Sequence, residues 1–156
     1  VFIPCTAQQA WNLLSTPGYL TLVNCYVAEN KSDRWQGPGD TDTFSYRSGR
    51  QFQRRVEFWR PEQGIGVSLH RIPPHANRVT VHFLFNPVAN GIHFSAEIGM
   101  DTYRKVPRPL WPVFCHIFLE PLFRKYLSAL LSGYHQYLTT GKPVEANQFG
   151  RLRPFS

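Results

Sequence analysis

The sequence predicts an α+β fold in which a curved antiparallel β-sheet wraps around a long C-terminal α-helix, with two short helices after a first strand. Three observations predict it. Between residues 25 and 100, apolar and polar residues alternate with a period of two and are punctuated by turn residues, as in strands half-buried on one face. Between residues 118 and 138 the apolar spacing changes to three and four, as on one face of a helix. No helical pattern intervenes between successive strands, so neighbours pair as an antiparallel meander.

The 156 residues suffice for one domain with a substantial core. The expectation is a single domain over residues 1–156, with 143–156 as an exposed C-terminal tail. Hydrophobic residues make up 42% and charged residues 17%, which excludes a compositionally disordered chain. The 12 Phe, 7 Tyr and 4 Trp bring the aromatic share to 15%, rings enough to fill a wide core or to line a cavity. The net charge of +7 favours anionic surroundings in general terms. The bases are scattered, however, around Arg47, Arg50, Arg54, Arg55 and Arg60 and at Arg151 and Arg153, with no Lys/Arg run that would mark a nucleic-acid partner. Cys5, Cys25 and Cys115 show neither a CxxC nor a Cys/His ligand spacing, so no disulfide framework or zinc site is indicated and a cytoplasmic location is expected. No run of about 18 apolar residues offers a transmembrane segment.

Residues 1–4 read as the end of a short strand. Thr6 then offers a hydroxyl N-cap to a helix whose Ala10, Trp11, Leu13 and Leu14 face inward and which stops at Pro17-Gly18. A second short segment, helical or a turn, covers residues 19–23, and four or five strands follow. Their turns are Gln36-Gly37-Pro38-Gly39-Asp40, Ser48-Gly49-Arg50, Pro61-Glu62-Gln63-Gly64 and Asn90-Gly91, the last being the strongest hairpin dipeptide in the chain. Alternation assigns faces, because successive strand side chains point to opposite sides. Phe44 and Tyr46, then Phe52, Val56 and Phe58, then Val67 and Leu69, then Val81 and Phe83, and finally Phe94 and Ile98 share one face, which requires a cover. The cover is the helix from about residue 112 to 141, whose inward stripe begins at Phe118 and Leu119 and runs through Phe123, Tyr126, Leu130 and Tyr134. Pro121 removes a backbone donor partway along, which predicts a break that opens room between helix and sheet.

This order of elements resembles the SRPBCC superfamily, the helix-grip group that includes START lipid-transfer domains, Bet v 1-like proteins and polyketide cyclase/dehydrase-like proteins. Particular stretches resemble it too. Pro4-Cys5-Thr6-Ala7-Gln8-Gln9-Ala10-Trp11-Asn12-Leu13-Leu14-Ser15-Thr16-Pro17 is similar to the group's opening, a strand followed by a helix that bears a Trp and ends before a Pro. Gly37-Pro38-Gly39-Asp40 resembles its Gly-rich turn before a central strand. Residues 126–144, with Leu130, Gly133, Tyr137, Gly141, Lys142, Pro143 and Val144, resemble the end of the grip helix in bacterial members. The similarity runs over nearly the full length and concerns shape. It implies a helix-grip fold with a cavity between sheet and helix. Members transport lipids, bind hormones or pigments, or cyclise polyketides, and they share no catalytic motif, so the resemblance singles out no catalytic residue.

The leading functional expectation is a binding or carrier module that holds an apolar or amphipathic small molecule, lipid-like or polycyclic aromatic, in that cavity. Its expected lining is Phe44, Tyr46, Phe52, Arg54 and Phe58 from the first strands, Leu69, Phe83 and Phe94 from the later ones, and Phe123, Tyr126, Leu130 and Tyr134 from the helix. Burying about 300 Å² of guest surface yields roughly 7 kcal/mol gross. Association costs on the order of 4 to 15 kcal/mol, so apolar contact alone binds weakly and a polar anchor matters. Arg54 falls in register with Phe52 and Val56 on the buried face, where a guanidinium needs a partner. That partner is a ligand carboxylate or phosphate, or Asp42 or Glu120 of the chain itself, unless a strand irregularity points Arg54 to solvent. The alternative function is a cyclase/dehydrase-like enzyme acting on a polyketide or aromatic substrate in the same cavity, with Arg54 polarising a carbonyl. No acid/base pair, GxSxG turn, GxGxxG or phosphate loop marks a catalytic residue or a cofactor. His82, His93 and Glu97 fall on the outer face without ligand spacing, and no metal is expected there.

Overall fold

The computed structural model describes residues 1–72, 79–100 and 108–156. Strands β1 (Phe2–Ile3), β2 (Val27–Lys31), β3 (Thr41–Tyr46), β4 (Gln51–Arg60), β5 (Gly64–Ile72), β6 (Val79–Val88) and β7 (Gly91–Met100) form one antiparallel sheet in the order β1-β7-β6-β5-β4-β3-β2. The meander from β2 to β7 has six strands where the sequence reading counted four or five, and β1 closes the edge by pairing with β7. The turns fall where the Gly and Asn residues predict them. At Gly49 and Gly64 the backbone takes a positive-φ conformation that favours glycine, with φ of 82° and 146°. Helix α1 (Ala7–Leu14) opens on a capping box: the Thr6 hydroxyl accepts from the Gln9 amide at 3.1 Å and the Gln9 side chain accepts from the Thr6 amide at 2.8 Å. Its Ala10, Trp11, Leu13 and Leu14 are buried, and α2 (Leu20–Val23) comes directly after it.

The covering rod is built in pieces. After a 3-10 turn (Arg108–Leu110) come α3 (Trp111–Phe114), a π-type turn (Cys115–Leu119) and α4 (Glu120–Thr140), which ends at left-handed Gly141 with φ of 70°. The expected break at Pro121 therefore takes the form of a wide turn just ahead of it. Pro121 has no N–H to donate back along the helix and its ring crowds the preceding turn, and the wider winding relieves both. The extra residue also rotates the segment ahead of it. Phe118, expected on the inward stripe, is 62% exposed.

Burial along α4 is lopsided. Ala129, Leu130, Gly133 and Tyr134 are buried, from the middle of the helix onward, whereas Leu122, Phe123, Tyr126 and Leu127 ahead of them are only partly covered. Gly133 explains why. A Cβ built there would lie 1.9 Å from the Val23 carbonyl oxygen, so the helix backbone rests directly on α2 at this point. The rod is seated at its C-terminal half and stands off the sheet at its N-terminal half.

Two expectations need correction. A β-bulge between Val56 and Phe58 inserts one residue into β4 and reverses the facing of the rest of the strand. Phe58 turns to the outer face, 5.2 Å from the His82 ring and over Gly66, where an added Cβ would come within 2.3 Å of it. Trp59 takes the inward place, edge-on to Trp11 at 4.9 Å and Trp35 at 6.1 Å. Residues 143–156 are also not a free tail. The Val144 amide donates to the Leu22 carbonyl and that of Asn147 to Cys25, both at 3.0 Å, and Val144 and Phe155 are buried. Anchored backbone and two apolar side chains outweigh the polar composition that suggested exposure.

Gly133→Ala tests the seating of the helix. Alanine favours a helix over glycine by about 1 kcal/mol. The collision with Val23 backbone nevertheless predicts a net loss of about 1–3 kcal/mol in urea unfolding, with the exposed Ser132→Ala as a neutral control. An unchanged or higher midpoint for Gly133→Ala would show that the contact does not hold the helix.

Candidate functional site

Where the rod stands off, space remains. An inner cavity of about 60 Å³, room for a few waters, lies between α4 and the sheet. Of the residues nominated from sequence, Phe44 and Tyr46 of β3, Arg54 of β4, Leu69 of β5, Phe83 of β6, and Phe123, Tyr126 and Leu130 of α4 lie in its wall. A wider recess of about 610 Å³ lies beside it under α3 and the π-type turn, bordered by Met100, Trp111, Cys115 and Leu119. Ile98, Phe123 and Leu127 belong to both walls, so the two spaces adjoin.

The other four expected residues lie elsewhere. Phe52 stacks on Phe44 with centroids 5.7 Å apart and lies outside the cavity wall. Phe58 is displaced by the bulge. Phe94 and Tyr134 are packed together at 4.6 Å, with Phe83 5.7 Å from Tyr134, and belong to the solid core beneath the seated half of the helix. Conversely, the wall contains residues that the sequence reading did not nominate. Val67, Val81 and Ile98 carried the strand-alternation signal but were passed over for the larger rings. Phe155 had no periodic signal; the docking of the C-terminal segment brings it in.

Arg54 has its partners within the chain. It stands directly across from Asp42 in the β3–β4 ladder. Its Nε donates to Asp42 Oδ1 at 2.9 Å, Nη2 forms the second arm of the pair to Oδ2, and Nη1 donates to the Tyr19 hydroxyl at 2.9 Å. The guanidinium lies 4.6 Å from the Trp35 ring centre and 5.0 Å from that of Tyr19. Asn30 adds a hydrogen bond to Asp42 Oδ2 at 2.7 Å. The charge and three of the five N–H groups are thus committed internally, and Arg54 is a strut that braces strands against α2 rather than a free anchor. Arg54→Met leaves a buried carboxylate unpaired and is expected to cost about 3–5 kcal/mol. Combining it with Asp42→Leu should recover much of that in a double-mutant cycle followed by urea unfolding; additive losses would refute the pairing.

The remaining polar groups of the wall are phenols. The Tyr46 and Tyr126 hydroxyls are 3.0 Å apart, and the Asn24 amide donates to Tyr126 at 2.8 Å. Asn24 is held in turn by the Tyr26 backbone amide, which donates to its Oδ1 at 3.1 Å. Burial pushes the Tyr46 phenol well above its ordinary pKa, with Tyr126 adding to the shift, and burial raises Tyr126 as well, so both remain neutral donors. Phe155 packs 4.9 Å from Tyr46 and 4.6 Å from Tyr126, closing this end. On the outer face His82 stands opposite Glu97, but among the described residues no three His, Cys, Asp or Glu side chains gather closely enough to hold a metal. No described helix is long and apolar enough to cross a membrane.

No protein-family model and no curated protein sequence matches the chain. Solved structures do. The START superfamily protein of Mycobacterium smegmatis superposes with a TM-score of 0.66 at 9% identity, over 91% of this chain and 95% of that one. Ara h 8.0201 gives 0.67 at 8% identity, over 90% and 94%. DynU16, from the dynemicin biosynthetic locus, gives 0.62 at 13% identity over 92% of this chain, which spans about half, 46%, of that protein's length. With the seven-stranded sheet gripping a long C-terminal helix, these matches establish that the chain has a helix-grip fold.

Proposed function

We propose that the protein holds an apolar or amphipathic small molecule between the sheet and the stand-off half of its C-terminal helix. One observation carries this reading: Ile98, Phe123 and Leu127 border both the inner cavity and the recess, so a guest entering beside α3 meets apolar side chains that both spaces share, with His116, Glu120 and Arg124 also lining the recess. The inner space of about 60 Å³ suits only the leading end of such a guest, and the recess of about 610 Å³ suits its body. Preformed concavity lowers the ordering cost of binding, which matters because roughly 300 Å² of apolar burial barely offsets association.

Leu127→Trp places a large ring where the two spaces meet. It is expected to abolish retention of an apolar fluorescent dye and of any lipid or aromatic compound seen by native mass spectrometry. Ser132→Ala, exposed on the same helix, should bind as the parent does. Equal dye binding in all three proteins would refute the site.

A further inference from the structure

We infer that the closed end of the cavity is a hydrogen-bond donor site for one neutral acceptor, a ketone, aldehyde or ester carbonyl, carried at the leading end of the guest. This rests on the carrier reading and adds the chemistry of the cargo. A count of protons supports it. Tyr46 and Tyr126 have two O–H protons between them, and their mutual bond of 3.0 Å consumes one. The Asn24 amide already donates to Tyr126 at 2.8 Å, so the second proton does not go back to Asn24 through that contact. Neither phenol has another acceptor among the described residues. One donor is therefore left over in the wall of a cavity, beside a Tyr46 side chain that is 5% exposed. A buried donor without an acceptor is unfavourable, and a guest oxygen supplies the missing partner.

Position and charge narrow the class. Tyr46 of β3 is four strands from Ile98 of β7 in sheet order, and Tyr46 and Tyr126 border the inner cavity but not the recess, so the donor lies beyond the residues that the two spaces share. The acceptor therefore leads and the apolar body trails. The cation in the wall, Arg54, is neutralised by Asp42 and also bonded to Tyr19, which leaves no counter-charge for a carboxylate or phosphate. The phenols hold their protons because of burial, which favours a neutral acceptor over a competing base.

Equilibrium dialysis with 2-acetylnaphthalene, 2-ethylnaphthalene and 2-naphthoate tests the idea with ligands of similar size. The parent protein is expected to bind the ketone about tenfold more tightly than the ethyl compound, the difference one such hydrogen bond makes, and the naphthoate more weakly than the ketone. Tyr46→Phe and Tyr126→Phe each leave one phenol with a free proton and should each keep a preference for the ketone. The Tyr46→Phe/Tyr126→Phe double variant should bind both neutral compounds equally, at the ethyl compound's original affinity. Equal affinities in the parent protein, tightest binding of naphthoate, or a preference surviving in the double variant would overturn the donor assignment while leaving the carrier reading intact. Failure of both neutral compounds to bind the parent protein would overturn the carrier reading and the donor site with it.

Discussion

The architecture depends on one close approach. Where Gly133 meets the Val23 carbonyl there is no room for a side chain, and the long helix is pressed against α2 and the core rings of Tyr19, Phe83 and Phe94. A rod fixed at one half and diverging from a sheet leaves a wedge of space at the other. The π-type turn ahead of Pro121 continues that divergence, carrying α3 over the recess instead of down onto the strands. Packing is dense at the seated half, where Leu130 and Tyr134 are buried, and sparse at Phe123 and Leu127.

Buried polar groups fall into two sets with different roles. Asp42, Arg54, Tyr19 and Asn30 bond to one another, and this charge-neutral network braces β3 and β4 against the first helices. Asn24, Tyr46 and Tyr126 form a second set that borders the cavity. The first set illustrates why a buried cation is weak grounds for a ligand site: desolvation demands a carboxylate, and a cross-strand neighbour supplies one with little extra ordering. The second gives the cavity its polarity, since neutral hydroxyls are cheaper to bury than charges and remain useful as donors.

Much of the fold was legible because local rules and the tertiary arrangement agree. Thr6 and Gln9 cap the first helix as their spacing suggests, the turns fall at Gly49, Gly64 and Asn90-Gly91, and period-two alternation assigned Phe44, Tyr46, Val67, Leu69, Val81 and Phe83 to the covered face. Alternation failed at Phe58 because it presumes an unbroken ladder, and a bulge reverses the faces of every residue after it. Phe94 and Tyr134 were expected in the cavity because they share the covered face, but sharing a face does not say whether a residue lies under the seated or the diverging half of the helix. Phe155 was invisible because its place depends on backbone hydrogen bonds made by a segment with no periodicity.

The sequence by itself determined the element order, the antiparallel sheet, the one-sidedness of its strands and the amphipathic helix that covers them, because each arises from residue spacing and backbone stereochemistry within a few residues. Only the tertiary structure decided where the helix touches and where it lifts, that Arg54 is committed to Asp42, and that two phenols meet at the closed end of a cavity. Those outcomes turn on distances of a few ångströms between residues separated by tens of positions, and no local pattern encodes them.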